Sequence, residues 1–349
     1  MPVAEDTFAL TKPWGIRPRH PFSPRLTSLP MLEINDLLVA RDFSSVSNRA
    51  VRYALDVAAR TGATLHVLHA EVLHEASNPD AEGGGRSPGH DIPRFRDEVR
   101  QESTVSADAL DAVAIKEVER RDVSAGPAIL NYAAETGVDL IALGTHGRRG
   151  PSRILLGSVA EEVVRRSDQP VLTVRGDAEE QTEVHPRIVD RILVPVDFSE
   201  PSREALRTAK EWAALYDASI DVLHVVAERI QPAFYTGGVQ SIYDMEPDIE
   251  QKMMDRLEAF VADTGGPERT IRPHVMVGNA APDIAEFVDA ESVDLVAMST
   301  HGRTGLDRFL LGSVAEKIIR HVHCPVLTMK PFGTTFAPSE DTAESDAGA

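Results

Sequence analysis

The 349-residue chain has a single cysteine, Cys324, six lysines among 36 basic residues, and only 5% aromatic residues. One cysteine excludes an intramolecular disulfide and fits a reducing compartment, so a cytoplasmic location is expected. No stretch reaches the roughly 18 uninterrupted apolar residues of a membrane helix. Positive charge is also scarce: 55 acidic residues against 36 basic ones leave a net charge of -19. A field of that sign repels nucleic acid and anionic lipid alike, so neither is an expected partner. The acidic, lysine-poor, arginine-rich balance is that of a salt-adapted, halophilic composition. With 42% hydrophobic and 26% charged residues the chain is otherwise an ordinary globular one, long enough for two domains of about 150 residues.

What is present in abundance is self-similarity, which decides the architecture before any local pattern is weighed. A shift of 155 residues lays LLVARDFSS (37–45) on ILVPVDFSE (192–200) and PVLTVR (170–175) on PVLTMK (325–330). It also brings GATLHVLHA (62–70) close to ASIDVLHVV (218–226). Residues 138–161 and 293–316 are identical at 17 of 24 positions. A constant shift implies that each half is one complete folding unit. The expected divisions are a disordered leader at 1–31, a first domain at 32–176, a linker at 177–187, a second domain at 188–330 and a disordered acidic tail at 331–349. The leader carries Pro2, Pro13, Pro18, Pro21, Pro24 and Pro30 but no signal-peptide apolar core, and Met31 is a candidate start.

Short β-branched runs alternate with helical patterns in each half, the signature of successive βαβ crossovers and a parallel sheet. In the first half strands are expected near 36–41, 63–69, 115–119, 139–143 and 170–174. Helices are expected near 45–61, 94–113, 126–137 and 157–168, with the second half following 155 residues later. Ala50, Ala54 and Ala58, repeated as Ala205, Ala209 and Ala213, put small residues on one helix face, where they belong to the core. Segments 77–91 and 232–247, rich in Gly or Pro, read as loops after the second strand, near the carboxyl edge where open α/β sheets bind ligands.

After the fourth strand comes GTHGRRGPSRILLGS, a G-x2-G-x9-G-S pattern in which glycines let backbone N–H groups approach an anion and the final Gly-Ser opens a helix. Ser158 could cap that helix or donate to a phosphate. No G-x4-G-K-[ST] loop and no G-x-G-x-x-G after a first strand is present, so neither familiar nucleotide fingerprint applies. The G-x2-G-x9-G-S spacing, THGR (145–148, 300–303), LLGSVAE (155–161, 310–316), CPVLT and VPVDFS (194–199) together resemble the universal stress protein family, over about 32–175 and 188–330.

That resemblance implies two tandem open α/β domains, each a five-stranded parallel sheet with helices on both faces. It also implies an adenine nucleotide (ATP, or ADP or AMP, with Mg²⁺ as an accompanying ion) at the carboxyl edge. By the same resemblance Asp42 and Asp197 contact the adenosine portion with Ala40 and Pro195 beside them, and Ala70 and Val225 line the base pocket. Gly144, Gly147, Arg148, Gly157, Ser158 and Val159 surround ribose and phosphates, matched by Gly302, Arg303, Gly312, Ser313 and Val314. The final strands, Val171–Arg175 and Val326–Lys330, are expected to pair the two domains with each other, and a homodimer of the whole chain is open. Two departures make the halves unequal: Ser299 stands where the first half has Gly144, and Arg41 and Ala40 stand where the second has Val196 and Pro195.

Each chemical signal also has a plainer reading. His146 and His301 could act as acid or base, or merely position a loop. His321, His323 and Cys324 have metal-ligand spacing but no counterpart in the first half, which favours a helix end. Asp42 and Asp197 could cap a turn rather than touch a ligand. The functional expectation is a nucleotide-binding regulatory or stress-response protein rather than an enzyme. Its rivals are a slow ATP hydrolase, for which no nucleophile–base pair is evident, and an interaction scaffold with vestigial pockets.

Overall fold

A computed structural model describes residues 33–72, 87–146, 156–176, 189–228, 243, 246–300 and 311–330. The first half runs β1 (Asp36–Ala40), α1 (Ser45–Thr61), β2 (Thr64–Val72), α2 (Ile92–Glu102), α3 (Ala107–Ala112), β3 (Ile115–Asp122), α4 (Ala125–Thr136), β4 (Leu140–Gly144), α5 (Ser158–Arg166) and β5 (Val171–Val174). The second runs β6 (Arg191–Pro195), α6 (Glu200–Tyr216), β7 (Ser219–Ala227), α7 (Ile249–Ala262), β8 (Ile271–Gly278), α8 (Ala280–Ala290), β9 (Leu295–Ser299), α9 (Ser313–His321) and β10 (Val326–Met329). The expected leader, linker and tail lie outside the described residues.

Local chemistry explains the element boundaries. Ser44 and Ser199 cap α1 and α6 by accepting from the amides of Ser47 and Ser202. Gly62, at φ 76°, ends α1 in the left-handed conformation that suits glycine. The alanine rows of α1 and α6 are fully buried, which lets both helices lie close on the sheet. The helix expected over 94–113 is instead two, α2 and α3. The chain breaks after Glu102, where the Ser103 hydroxyl turns to the Asp56 carboxylate and Ser106 caps α3 by accepting from the Ala109 amide. The 155-residue shift also slips locally: β8 pairs Ile271 with Ile220 where β3 pairs Ile115 with Leu65, an offset of 156 that is recovered by α8.

The ten strands among the described residues form one sheet in the order β3-β2-β1-β4-β5-β10-β9-β6-β7-β8. Within each half every pairing is parallel, and only β5 and β10 run antiparallel. At that seam Thr173 Oγ1 donates to the Val326 carbonyl at 3.1 Å and Thr328 Oγ1 donates to the Val171 carbonyl at 3.1 Å, a reciprocal pair. Two apolar layers, one on each sheet face, each contain residues of both halves. Tyr216 of α6 donates to Asp56 of α1 at 2.7 Å, and the Arg60 guanidinium lies 4.2 Å from the Tyr216 ring.

The opposite, amino edge carries structural charges. Asp139 and Asp294, identical in the strongest part of the repeat, accept from the amides of Asn35 and Asp36 and of Asp190 and Arg191, fixing the entry to β1 and β6. Asp36 meets His66 in the first half, whereas Arg191 meets Asp221 in the second, so the carboxylate sits on the other strand of the pair. Burial alone would raise the Asp221 carboxyl. Its bonds from His274 (2.7 Å), Arg191 (2.5 Å) and Arg272 (3.0 Å) outweigh burial and hold it far below the usual carboxylate range.

Lys210 is buried with a backbone carbonyl as its hydrogen-bond partner. It is 7% exposed and donates to the Thr264 carbonyl at 2.5 Å; burial, reinforced by Arg207, lowers it to about 8. Its folded pKa is below its unfolded one, so the stability linked to it is complete above the unfolded lysine range and is lost as pH falls through 8. The unfolding free energy of the wild type relative to Lys210→Met should therefore rise between pH 8 and 10.5, by on the order of 2 to 3 kcal/mol. Urea titrations of both proteins across that range read the difference; a pH-independent difference would refute the assignment.

Candidate functional site

In each half the chain leaves the first strand toward one side of the sheet and returns on the other. The crevice above the carboxyl ends of β1 and β4, or of β6 and β9, is the point where strand order reverses. Open α/β sheets place ligands there. Ala40 and Asp42 follow from the end of β1, Ala70 from β2, Gly144 from β4, and Gly157, Ser158 and Val159 from the start of α5. Pro195, Asp197, Val225, Gly312, Ser313 and Val314 occupy the matching places in the second half. Gly147, Arg148, Gly302, Arg303 and His301 lie outside the described residues, as do most of segments 77–91 and 232–247.

Asp42 and Asp197 are built into a turn. Asp42 Oδ1 accepts from the Ser44 amide at 3.0 Å and the Ser44 hydroxyl at 2.6 Å. Asp197 makes the same two bonds to Ser199. The plainer reading of these aspartates as turn-organising residues is therefore correct for one oxygen of each. The residue that follows is a phenylalanine in left-handed backbone, Phe43 at φ 65° and Phe198 at φ 64°. A bulky residue there costs on the order of 1 to 3 kcal/mol and persists only when its surroundings hold it.

Those surroundings involve residues to which no site role was assigned from sequence. His69 Nδ1 donates to the Arg41 carbonyl at 2.8 Å and its ring lies 4.9 Å from Phe43. His224 donates to the Val196 carbonyl at 2.8 Å, with its ring 4.3 Å from Phe198. A cation covers each phenylalanine: Arg41 at 4.6 Å in the first half, Arg256 of α7 at 4.2 Å in the second. The signal for the histidines was the shared VLH of β2 and β7; the two arginines leave none, because they come from unrelated positions.

Arg41 also explains one of the departures between the halves. It is 2% exposed, pairs with Asp91, and donates to the Pro88 carbonyl at 2.5 Å and to Asn48 at 3.1 Å. The cation thus ties residues 88–91, the end of the first inter-strand segment, to the end of β1. The other departure concerns packing. A Cβ on Gly144 would lie 2.8 Å from Val46 Cγ1 and 3.3 Å from the Ser47 amide. In the second half Pro201 takes the place of Val46 and Ser299 that of Gly144. Gly144 thus serves the fit of a strand end on a helix start.

The glycines that open α5 and α9 are required by close approach. A Cβ on Gly157 would lie 2.9 Å from the Thr145 carbonyl, and one on Gly312 equally close to that of Thr300. Those carbonyls accept from the glycine amides at 2.8 and 2.9 Å. Gly157 and Gly312, and not the serines, are the N-caps, and neither helix has a side-chain cap. The expected capping by Ser158 is thus corrected: Ser158 is exposed at the first helical position. With a glycine at the N-cap and no side-chain cap bond there, the first-turn amides of α5 and α9 are suited to an external anion. Val314 beside them is 36% exposed.

His146 sits at the mouth of this cradle and hydrogen-bonds Thr145 Oγ1 at 3.0 Å. Burial, with help from the Arg175 charge, lowers its pKa below the usual imidazole value. The HVHC sequence is divided among three jobs. His321 bonds the Lys317 carbonyl, His323 bonds Asp289, and Cys324 is buried with its thiol pushed up to about 12. Among the described residues no cluster is arranged to hold a metal ion.

Comparison with known proteins gives these features a family. The sequence profile described as the universal stress protein family matches residues 33–175 and 189–330. A universal stress protein of Methanocaldococcus jannaschii is 33% identical over 143 residues, covering 40% of this chain and 81% of that protein. One of Mycolicibacterium smegmatis is 25% identical over 299 residues, covering 84% and 97%. A solved structure described as a putative universal stress protein from Pseudomonas aeruginosa superposes with a TM-score of 0.58. It is 19% identical, covers 85% of this chain and 93% of its own, and attests the fold.

The close approach is testable apart from any ligand. Gly157→Ala should destabilise the chain by about 1 to 3 kcal/mol because its Cβ meets backbone. Ser158→Ala, at an exposed position with no cap bond, should change it by less than about 0.5 kcal/mol. Urea denaturation separates the two, and equal effects would contradict the geometry.

Proposed function

This chain belongs to the universal stress protein family, and on that premise we propose that each half binds ATP, or a related adenine nucleotide such as ADP or AMP, as a regulatory or stress-response protein. The observation that carries the reading is the recurrence in both halves of an aspartate turn facing a glycine-started helix whose first turn has no side-chain cap. An adenosine group fits the turn side, between Asp42, Ala40 and Ala70 in one half and Asp197, Pro195 and Val225 in the other. A phosphate chain fits the amides at Ser158 and Val159, or Ser313 and Val314. Gly147, Arg148, Gly302 and Arg303 enter this proposal on family resemblance alone, and Mg²⁺ would arrive with the phosphates.

Binding is favoured over catalysis because Asp42 and Asp197 each commit an oxygen to a turn, and His146 has no carboxylate to orient it among its hydrogen bonds given above. The antiparallel seam supports a further element of the proposal: in solution Val171–Arg175 and Val326–Lys330 hold the two halves together within one chain.

Isothermal titration of the full chain with ATP should show two equivalents bound. Asp42→Ala and Asp197→Ala should each remove one equivalent, and the absence of saturable heat with the wild type defeats the reading. Single-turnover hydrolysis well above background that vanishes in Asp42→Ala would favour the enzyme instead.

A further inference from the structure

Each cradle helix begins in one half and is held at its far end by the other. Arg175, the residue after β5, donates to the carbonyl of His321 at 2.7 Å, the last residue of α9. Lys330, the residue after β10, donates to the carbonyl of Arg165 at 2.6 Å, in the last turn of α5. The two cations occupy equivalent positions, 155 residues apart, and each sits where a helix dipole favours positive charge. Nothing in the folding of a single half requires this exchange, because each cation caps the helix of the other half rather than its own.

The backbone connects these caps to the cradles. In the first half the Gly157 amide donates to the Thr145 carbonyl at 2.8 Å, and the Thr145 amide donates to the Val174 carbonyl at 2.8 Å, one residue before Arg175. In the second half the Gly312 amide donates to Thr300 at 2.9 Å, and the Thr300 amide donates to Met329 at 2.8 Å, one residue before Lys330. Followed around, the bonds close on themselves: the start of α5, Thr145, the end of β5, Arg175, the end of α9, the start of α9, Thr300, the end of β10, Lys330, the end of α5.

We propose that this ring couples the two cradles, so that a nucleotide bound in one raises the affinity of the other. The inference rests on the nucleotide reading above. An anion at the first turn of α5 fixes the Gly157–Thr145 bridge and with it the strand end that carries Arg175. Arg175 then fixes the far end of α9, and the second cradle has less left to order when its own ligand arrives. Linkage makes the effect reciprocal, and the pseudo-twofold exchange of Arg175 and Lys330 provides a route for each direction.

The test uses the full chain and ATP. In the wild type the second equivalent should bind about fivefold more tightly than the first after statistical correction, within the usual range of site–site coupling. The double variant Arg175→Met, Lys330→Met should still bind two equivalents but without that ratio, and Arg175→Lys, Lys330→Arg should restore it. Independent binding in the wild type, or undiminished coupling in the methionine variant, overturns the proposal while leaving nucleotide binding intact. No ATP binding by the wild type defeats both.

A second measurement covers the case in which the methionine variant does not fold. In Gly312→Ala, where the second cradle is distorted, ATP should slow amide exchange in the last turn of α9 by severalfold. Unchanged exchange there overturns the proposal.

Discussion

Three register pairs between β5 and β10 make one sheet out of two, and the rest of the molecule depends on them. Both strands are buried along their whole length. Separated, each half would present an open strand edge lined by valine, leucine or methionine, with unpaired backbone groups beside it. Joined, they let each apolar layer run from one half into the other. A half of this chain is thus a unit of topology, while burial belongs to the whole.

Duplication has preserved geometry more faithfully than side chains. The left-handed phenylalanine is covered by a cation in both halves, supplied once by a strand end and once by a helix. The side-chain hydrogen bond at the amino edge keeps its place with the carboxylate moved to the other strand. The strand end that needs glycine against valine accepts serine where proline has replaced the valine. Such pairs change together because what selection can see is the fit, and a close-packed interior couples neighbours.

Much of the fold was legible because hydrophobic period and repeat spacing reinforce each other. The first helix was read at its observed bounds, and the alanine rows were correctly assigned to the core. The break between α2 and α3 was not legible, since it turns on the Ser103 hydroxyl meeting Asp56, a contact distant in sequence. At the site, the glycine spacing marks a strand end and a helix start beside the crevice, but two local roles needed coordinates. Gly157, and not Ser158, is found in the cap position, and the missing Cβ of Gly144 faces Val46, a packing role that the motif alone does not disclose. The histidines of β2 and β7 stood in plain view as a shared VLH; only distance to the phenylalanine rings gives them a function.

With the inner edges used up on each other, the sheet ends at β3 and β8, and these strands resist extension in different ways. β3 reads IKEVERRD, with charged side chains exposed along it. β8 carries Pro273 in mid-strand, a residue with no amide hydrogen to offer a neighbour. Two such margins disfavour growth of the sheet by strand addition. The fold thus carries at its margins features that work against edge-to-edge association of crowded copies of this acidic chain.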